Sequence, residues 1–405
     1  MLTRRTTVAR RVVVVGGGIV GAALAAELVA HDGLDVTLVE AGPRGRLRGS
    51  TGHAPGFVGL LNEVPVATEL AVRSADRYAR LSRDGVRGFD RVGGLEVATT
   101  SAGLAALEHR AGLAAAAGLP VRVLGARATV AAAPDLVDPA QCAGGVLYAR
   151  DGTARAPLAA EALLDLAAGG GARLVHDAEV TAVDVRVGRV RGVRVGGTDL
   201  PADDVVLACG IWGRPVAALA GVDLPVTPVA HPYVHGPRTG PRAASPFVRW
   251  PEHHVYARDH GDRLGLGTYD HVPVPVAPEE LTGGAERPWP ADPFDDAVAR
   301  ALALLAPHHR FVPEQRLNGV FAMTPDNLPL LGPAPDVTGL WVAEALWVTH
   351  AAGAAAALVR TMVGARPDLD GLDALRPDRF AGVPAAELTE RALRLYRDIY
   401  AADPV

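Results

Sequence analysis

The chain contains no lysine: all 40 of its basic residues are arginine. No side-chain amine is therefore present to form a Schiff base, act as a general base or set an ammonium beside an oxygen site. Cysteine is almost as scarce. Cys142 and Cys209 have no CxxC or metal-type spacing, so no metal site and no disulfide framework are expected. Cys209 closes the apolar run DVVLACG and is expected as a small core residue, with Cys142 a loop thiol. Such usage fits a reducing cytoplasm. The net charge of −5 leaves no footprint for nucleic acid. No apolar run reaches the roughly 18 residues of a membrane span, so a soluble chain is expected. Two arginine pairs precede an apolar stretch near the N-terminus, but that stretch lacks a small-residue cleavage site, which excludes an export signal.

What is present begins at Arg11. The run Val12–Val15 reads as a strand buried on both faces, and Gly16-x-Gly18-x-x-Gly21 follows it directly. Gly16 permits a tight turn, Gly18 admits a pyrophosphate against the backbone, and Gly21 lets the next helix lie close to the sheet. That helix, IVGAALAAELVAHDG, stops near Gly33 and offers its positive N-terminal end to phosphates. A second strand, DVTLVE, ends in Glu40, nineteen residues past Gly21. An acid about 20 residues on accepts from a ribose 2′-OH and repels a 2′-phosphate, which argues against NADP. The motif with its strand, helix and acid specifies a dinucleotide and leaves NAD and FAD open.

At 405 residues, one large domain or two intertwined ones are expected. Helices are expected over 66–82, 101–117 and 158–168, with a loop at Tyr148–Pro157. Strands RLVHDAEV, TAVDVRV, RVRGVRV and DVVLACG then return to the nucleotide half. Residues 225–293 become rich in Pro, His and aromatics, with strands near Val229–Val234, His254–Arg258 and Leu264–Tyr269, as in an antiparallel sheet of a second domain. The Pro/Gly stretch 281–293 reads as a surface loop, and a helix is expected at about 294–306. The segment GLWVAEALWVTHAAG gives a last strand, a loop and an Ala-rich helix. The division that follows is a nucleotide domain from 8–85, 151–226 and 316–365, a substrate domain from 86–150 and 227–315, and a C-terminal tail, 366–405.

Together, GGGIVGAALAAEL, GSTGHAPGFVG, RVGGLEVATT, DVVLACGIWG, VAHPYVHG, VYARDHGDRLGLGTYDH, FAMTPDNLPLLG and GLWVAEALWVTHAAG resemble the D-amino-acid oxidase superfamily of flavoproteins. Within it the chain is most similar to the dimethylglycine oxidase, dimethylglycine dehydrogenase and sarcosine dehydrogenase group. The resemblance implies an α/β plus antiparallel β fold: a glutathione-reductase-like FAD-binding domain with an interleaved substrate domain on an antiparallel sheet. It makes the dinucleotide FAD, held by Gly16, Gly18, Gly21, Glu40, Ser50, Thr51, Trp347, Thr349 and His350. In that group the histidine of the GSTxHAPG loop carries the flavin covalently, and the matching residue is His53. The group also places a histidine and a tyrosine beside the flavin, matching His231 and Tyr256, with Tyr233 and Tyr269 as secondary candidates.

The implied activity is oxidation of a small-molecule amine. Hydride leaves the carbon beside a secondary or tertiary amine nitrogen, and the iminium product is hydrolysed or trapped. The substrate amine is mostly protonated near neutrality, so a His/Tyr pair that takes the proton suits the reaction. A primary amino-acid oxidase is an alternative within the class; a flavin-carrying subunit that works only with a partner protein is another, and a plain NAD dehydrogenase the most distant. The electron acceptor is oxygen or an electron-transfer protein, with no lysine available to assist oxygen. The group continues into a folate-binding half, whereas this sequence ends at Val405. Folate capture is therefore expected to need a separate enzyme, and a larger N-methyl or cyclic amine is as fitting a substrate as dimethylglycine.

Overall fold

The computed structural model describes residues 9–400. Arg4 and Arg5 of the arginine pairs, Val8 at the start of the expected nucleotide domain, and the tail residues 401–405 lie outside the described residues. A six-stranded sheet runs in the order Arg173–Val175, Leu34–Val39, Arg10–Val15, Asp204–Leu207, Leu340–Glu344, Leu330–Pro333. The first five strands are parallel and the last is antiparallel to its neighbour.

The valines of the first strand show why it is apolar throughout. Val12 and Val14 join a cluster made by helices Ile19–Leu28, Ala156–Gly169 and Ala351–Met362 on one face. Val13 and Val15 join the opposite cluster, with Val183, Val190 and Val193 from the three-stranded sheet that covers the other face. Burying each such side chain stabilises the fold by about 1.5–3 kcal/mol. The small residues of the first helix allow close approach: a Cβ on Gly21 would stand 1.8 Å from the Gly16 carbonyl oxygen. Gly16 itself adopts φ +103°, open to glycine and strained for other residues.

A larger, mostly antiparallel sheet has ten strands among the described residues. Its middle strand, Thr227–His235, lies between Gln315–Met323 and Leu264–Thr268; Val255–Asp259 follows on the far side. Phe247–Trp250 pairs in parallel with Gly94–Ala98, joining the early segment of this sheet to the late one. Architecture and resemblance agree at this level: a parallel nucleotide-type sheet interleaved with an antiparallel one.

Several local expectations differ. Residues 316–323 pair in the antiparallel sheet, although the strands after them belong to the parallel one. The expected loop Tyr148–Pro157 holds a strand, Gly152–Ala154, which bridges Phe57–Val58 and Phe89–Asp90 and is too short to show a period. The stretch 281–293 is not all surface: Leu281 and Ala285 are buried, and Glu286–Arg287 pairs with Asn318 and Gly319. The next helix runs continuously from Pro293, after a non-helical Asp292, and ends at Leu302, earlier than expected. The expected tail is a packed element. Helix Ala385–Arg397 buries Leu388, Ala392 and Tyr396, spaced four apart on one face. No described helix is long and apolar enough to cross a membrane.

Candidate active site

The glycine turn, the loop after Glu40 and the segment before the Ala-rich helix converge at the carboxyl ends of the parallel strands, where open α/β sheets bind ligands. They wall a cavity of about 1090 Å³ that continues to the antiparallel sheet. Gly16, Gly18, Glu40, Ser50, Thr51, His53, His231, Tyr256, Trp347, Thr349 and His350 all line it. Gly21 does not; it acts one layer back, where the helix meets the turn.

Glu40 shapes the turn as well as facing the cavity. Its Oε2 accepts from the Gly17 N–H at 2.6 Å and its Oε1 from the Gly42 N–H at 2.7 Å. A Cβ on Gly17 would meet the Glu40 side chain at 3.1 Å, and one on Gly18 would meet Thr51 Oγ1 at 3.2 Å. Thr51 Oγ1 accepts from the Ile19 N–H at 3.1 Å, satisfying one free donor at the start of the helix. Ser50 donates to the Val320 carbonyl at 2.6 Å and ties the same loop to the antiparallel sheet.

His53 is thereby held between the two sheets. Its ring lies against Gly319, where a Cβ would come within 2.7 Å of Cδ2 and Nε2. Gly319 is the direct cross-strand partner of His231. Burial lowers the His53 pKa to about 4, opposed by a backbone hydrogen bond to Val320, so the imidazole is neutral at ordinary pH. In the third segment, Thr349 donates to the Phe57 carbonyl at 3.1 Å and His350 Nε2 reaches Asn62 Oδ1 at 3.2 Å. Burial lowers His350 to about 4 as well. Trp347 packs edge-on to Phe321, 5.9 Å between centroids.

His231 and Tyr256 project from neighbouring parts of the antiparallel sheet and meet. The Tyr256 hydroxyl lies 2.7 Å from His231 Nε2. Burial holds His231 well below the usual histidine range and, with nearby tyrosines, Tyr256 well above the usual phenol range. Both are neutral. Tyr233 and Tyr269 also line the cavity, and the Tyr233 hydroxyl pairs with His260 Nε2 at 2.7 Å. Phe57, Tyr269 and Phe321 surround the pair, with centroid distances of 4.5–4.9 Å to one or other ring.

Two residues escaped the sequence reading. Tyr396, from the C-terminal helix, places its hydroxyl 2.7 Å from His231 Nδ1; only the four-residue apolar spacing of its helix hinted at burial. Arg249 lines the far side of the cavity, within the buried strand FVRW. Its guanidinium is 3.9 Å from Glu96, which also pairs with Arg110 at 3.3 Å and accepts from Tyr148 at 3.0 Å. An arginine in an otherwise apolar strand was its one signal.

Residues 11–361 match the FAD dependent oxidoreductase family. The chain belongs to that family. One relative is 4-methylaminobutanoate oxidase (formaldehyde-forming) of Paenarthrobacter nicotinovorans, 29% identical over 92% of this chain and 46% of its own length. Another is the mitochondrial sarcosine dehydrogenase of Mus musculus, 26% identical over 89% of this chain and 40% of its own. The chain thus spans less than half of each. Glycine oxidase from Geobacillus kaustophilus has a similar structure, with TM-score 0.75 and 26% identity over 92% of this chain and all of that one. The family makes the chain an oxidoreductase, and the site suits its cofactor. The glycine cradle would be filled by any Cβ, the helix start faces a long cavity, and a carboxylate stands at ribose distance along the chain.

Proposed function

We propose that this oxidoreductase takes a secondary or tertiary amine, with an N-methyl amino acid as the favoured substrate class, and gives an iminium that water converts to an aldehyde and the dealkylated amine. The observation that carries the reading is the neutral Tyr256–His231 pair, hydrogen-bonded at 2.7 Å at the aromatic end of the cavity. FAD, when bound, would supply the acceptor for the hydride. Gly16, Gly18 and the helix start would hold its phosphates, Glu40 a ribose, and Ser50 and Thr51 the loop that presents His53. We assign His53 as the point of covalent attachment, because its neutral imidazole retains a nucleophilic nitrogen. The segment Trp347–His350 would close the cofactor's other end, with the dipole of helix Ala351–Met362 behind it.

The chain's own residues then do three things. Tyr256 and His231 accept the proton of an alkylammonium, since the nitrogen lone pair must be free before hydride can leave the adjacent carbon. Tyr269, Phe321 and Trp347 exclude water and offer ring faces to a cationic alkylamine. Arg249 binds a substrate carboxylate. Its surroundings leave it positive charge to spare: Glu96 is shared with Arg110, and Asp151, pushed up to about 7 mainly by burial, carries only part of a charge. In this reading the chain divides into nucleotide and substrate parts, with residues 316–323 counted in the substrate part because they pair with Thr227–His235. The electron acceptor in this reading is oxygen or an electron-transfer protein, and a separate folate enzyme is a candidate recipient of the one-carbon product.

The formaldehyde-forming relative supports N-demethylation. The likeness to a glycine oxidase supports a second reading, a primary amino-acid oxidase. A panel of N-methyl amino acids, N-methyl cyclic amines and glycine, tested for anaerobic bleaching of the flavin, tests the proposal. Bleaching by N-methyl amines at rates well above glycine is expected. Bleaching by glycine alone would favour the second reading, and by none of them would refute both.

A further inference from the structure

Behind His231 the hydrogen bonds continue away from the cavity. Tyr396 is fully buried, and its hydroxyl lies 2.7 Å from His231 Nδ1, 2.9 Å from His271 Nε2 and 3.1 Å from the Ala230 carbonyl. His271 Nδ1 lies 2.8 Å from the Val272 carbonyl, and Val272 is 69% exposed. Neither Tyr396 nor His271 lines the cavity. Four side chains therefore form one line from the cavity wall to a surface loop.

Counting protons fixes its direction. A carbonyl only accepts, so His271 Nδ1 carries a proton. Neutral His271 then has a bare Nε2, which at 2.9 Å is a nearer acceptor for the single Tyr396 proton than the Ala230 carbonyl at 3.1 Å. The Tyr396 oxygen accepts in turn from His231 Nδ1–H. That leaves His231 Nε2 bare, to accept from Tyr256. Every donor in the line points outward.

We propose that Tyr256, His231, Tyr396 and His271 form a proton relay that carries the substrate's ammonium proton from the cavity to His271; this rests on the amine reading above. The transfer balances without a co-reactant. The ammonium N–H bond breaks as Tyr256 takes its proton and passes its own to His231 Nε2. His231 releases its Nδ1 proton to Tyr396, and Tyr396 releases its proton to His271 Nε2. Afterwards the amine is neutral, both phenols and His231 are neutral, and His271 is an imidazolium. The hydrogen bonds remain complete: His271 donates to the Val272 carbonyl and to the Tyr396 oxygen, and the Tyr396 proton turns to His231 Nδ1 or the Ala230 carbonyl.

The surroundings place the charge at the outer end. His231 faces Tyr256, Tyr269, Phe321 and Tyr396, with His53 and His271 beyond, and no acid among the described residues. His271 faces Tyr396 and Phe294, and its neighbour Asp270, ion-paired with Arg300 at 2.8 Å, favours its charged form together with the Val272 carbonyl. Burial opposes the charge at both, and more strongly at His231.

The test compares the holoenzyme with its Tyr396→Phe and His271→Gln variants by two readouts. ¹⁵N-histidine NMR, assigned with single His variants, is expected to show His231 and His271 as Nδ1–H tautomers, and Tyr396→Phe is expected to lose that state at His231. Anaerobic flavin bleaching by an N-methyl amino acid is expected to slow near neutral pH by about 100-fold, the lower end of general acid–base contributions. The rate should recover at high pH, where the amine is already neutral, and the wild-type solvent isotope effect should change. Equal slowing at every pH, no slowing, or His231 as the Nε2–H tautomer would overturn the relay. A wild-type enzyme bleached by no amine would instead refute the functional reading, and the NMR would still decide the order of donors.

Discussion

His53 and Gly319 touch across the two sheets: the imidazole fills the space that a side chain at 319 would need, 2.7 Å from an ideal Cβ. Gly319 pairs with His231 across the antiparallel sheet. One glycine therefore sets how near His53, the proposed attachment point, stands to the strand that carries His231. Gly319→Ala should push His53 aside. Overpacking of this kind costs about 1–3 kcal/mol. The expected result is a lower melting temperature together with a lower flavin-to-protein ratio, while a variant with full flavin content would show that His53 has room to spare.

Covalent attachment gives a second expectation. Acid denaturation of the wild-type protein should leave the yellow colour on the polypeptide. In His53→Ala the colour should appear in the supernatant, because in this reading the glycine cradle and Glu40 would still bind the cofactor without a bond. Release from both proteins would remove the covalent assignment and leave the fold reading intact.

Arg249→Gln addresses the carboxylate. A charge-assisted hydrogen bond contributes about 1.5–3 kcal/mol, which corresponds to a rise of roughly 10- to 150-fold in KM. The effect should be confined to amines bearing a carboxylate, with kcat little changed. An equal loss for amines with no carboxylate would reassign Arg249 to packing against Glu96.

The buried histidines make stability fall in acid. His350, and His53 in protein that carries no flavin, are lowered to about 4 by burial, from 6.5. Between those values the unfolded chain binds protons at these positions and the folded chain does not, so folding weakens as pH drops from 6.5 toward 4. Above 6.5 both states are neutral there and the effect vanishes. Thermal melts across this range should show the decline, and His350→Gln should flatten it. A melting temperature that stays constant from pH 7 to 4.5 would contradict the assigned neutrality.

Residues close in sequence were the legible ones. Gly16, Gly18, Gly21 and Glu40 lie within one strand–helix–strand unit, so spacing alone exposed them, and the structure puts Gly21 in the packing layer instead of the cavity wall. His53, His231 and Tyr256 became visible through resemblance, since no local pattern separates them from the other histidines and tyrosines. Tyr396 was hidden because its partner is 165 residues away and its helix reads as a tail. Gly152–Ala154 was hidden because three residues carry no period. Arg249 was hidden because its meaning comes from charges on a strand, a helix and a turn distant in sequence: Glu96, Arg110 and Asp151.

The amine reading is tested most directly by one anaerobic turnover of the purified holoenzyme with an N-methyl amino acid, measuring products against flavin bleached. The expected result is formaldehyde in a ratio near one to the flavin reduced, with no ammonia. Ammonia without formaldehyde, or a flavin left fully oxidised, would contradict it.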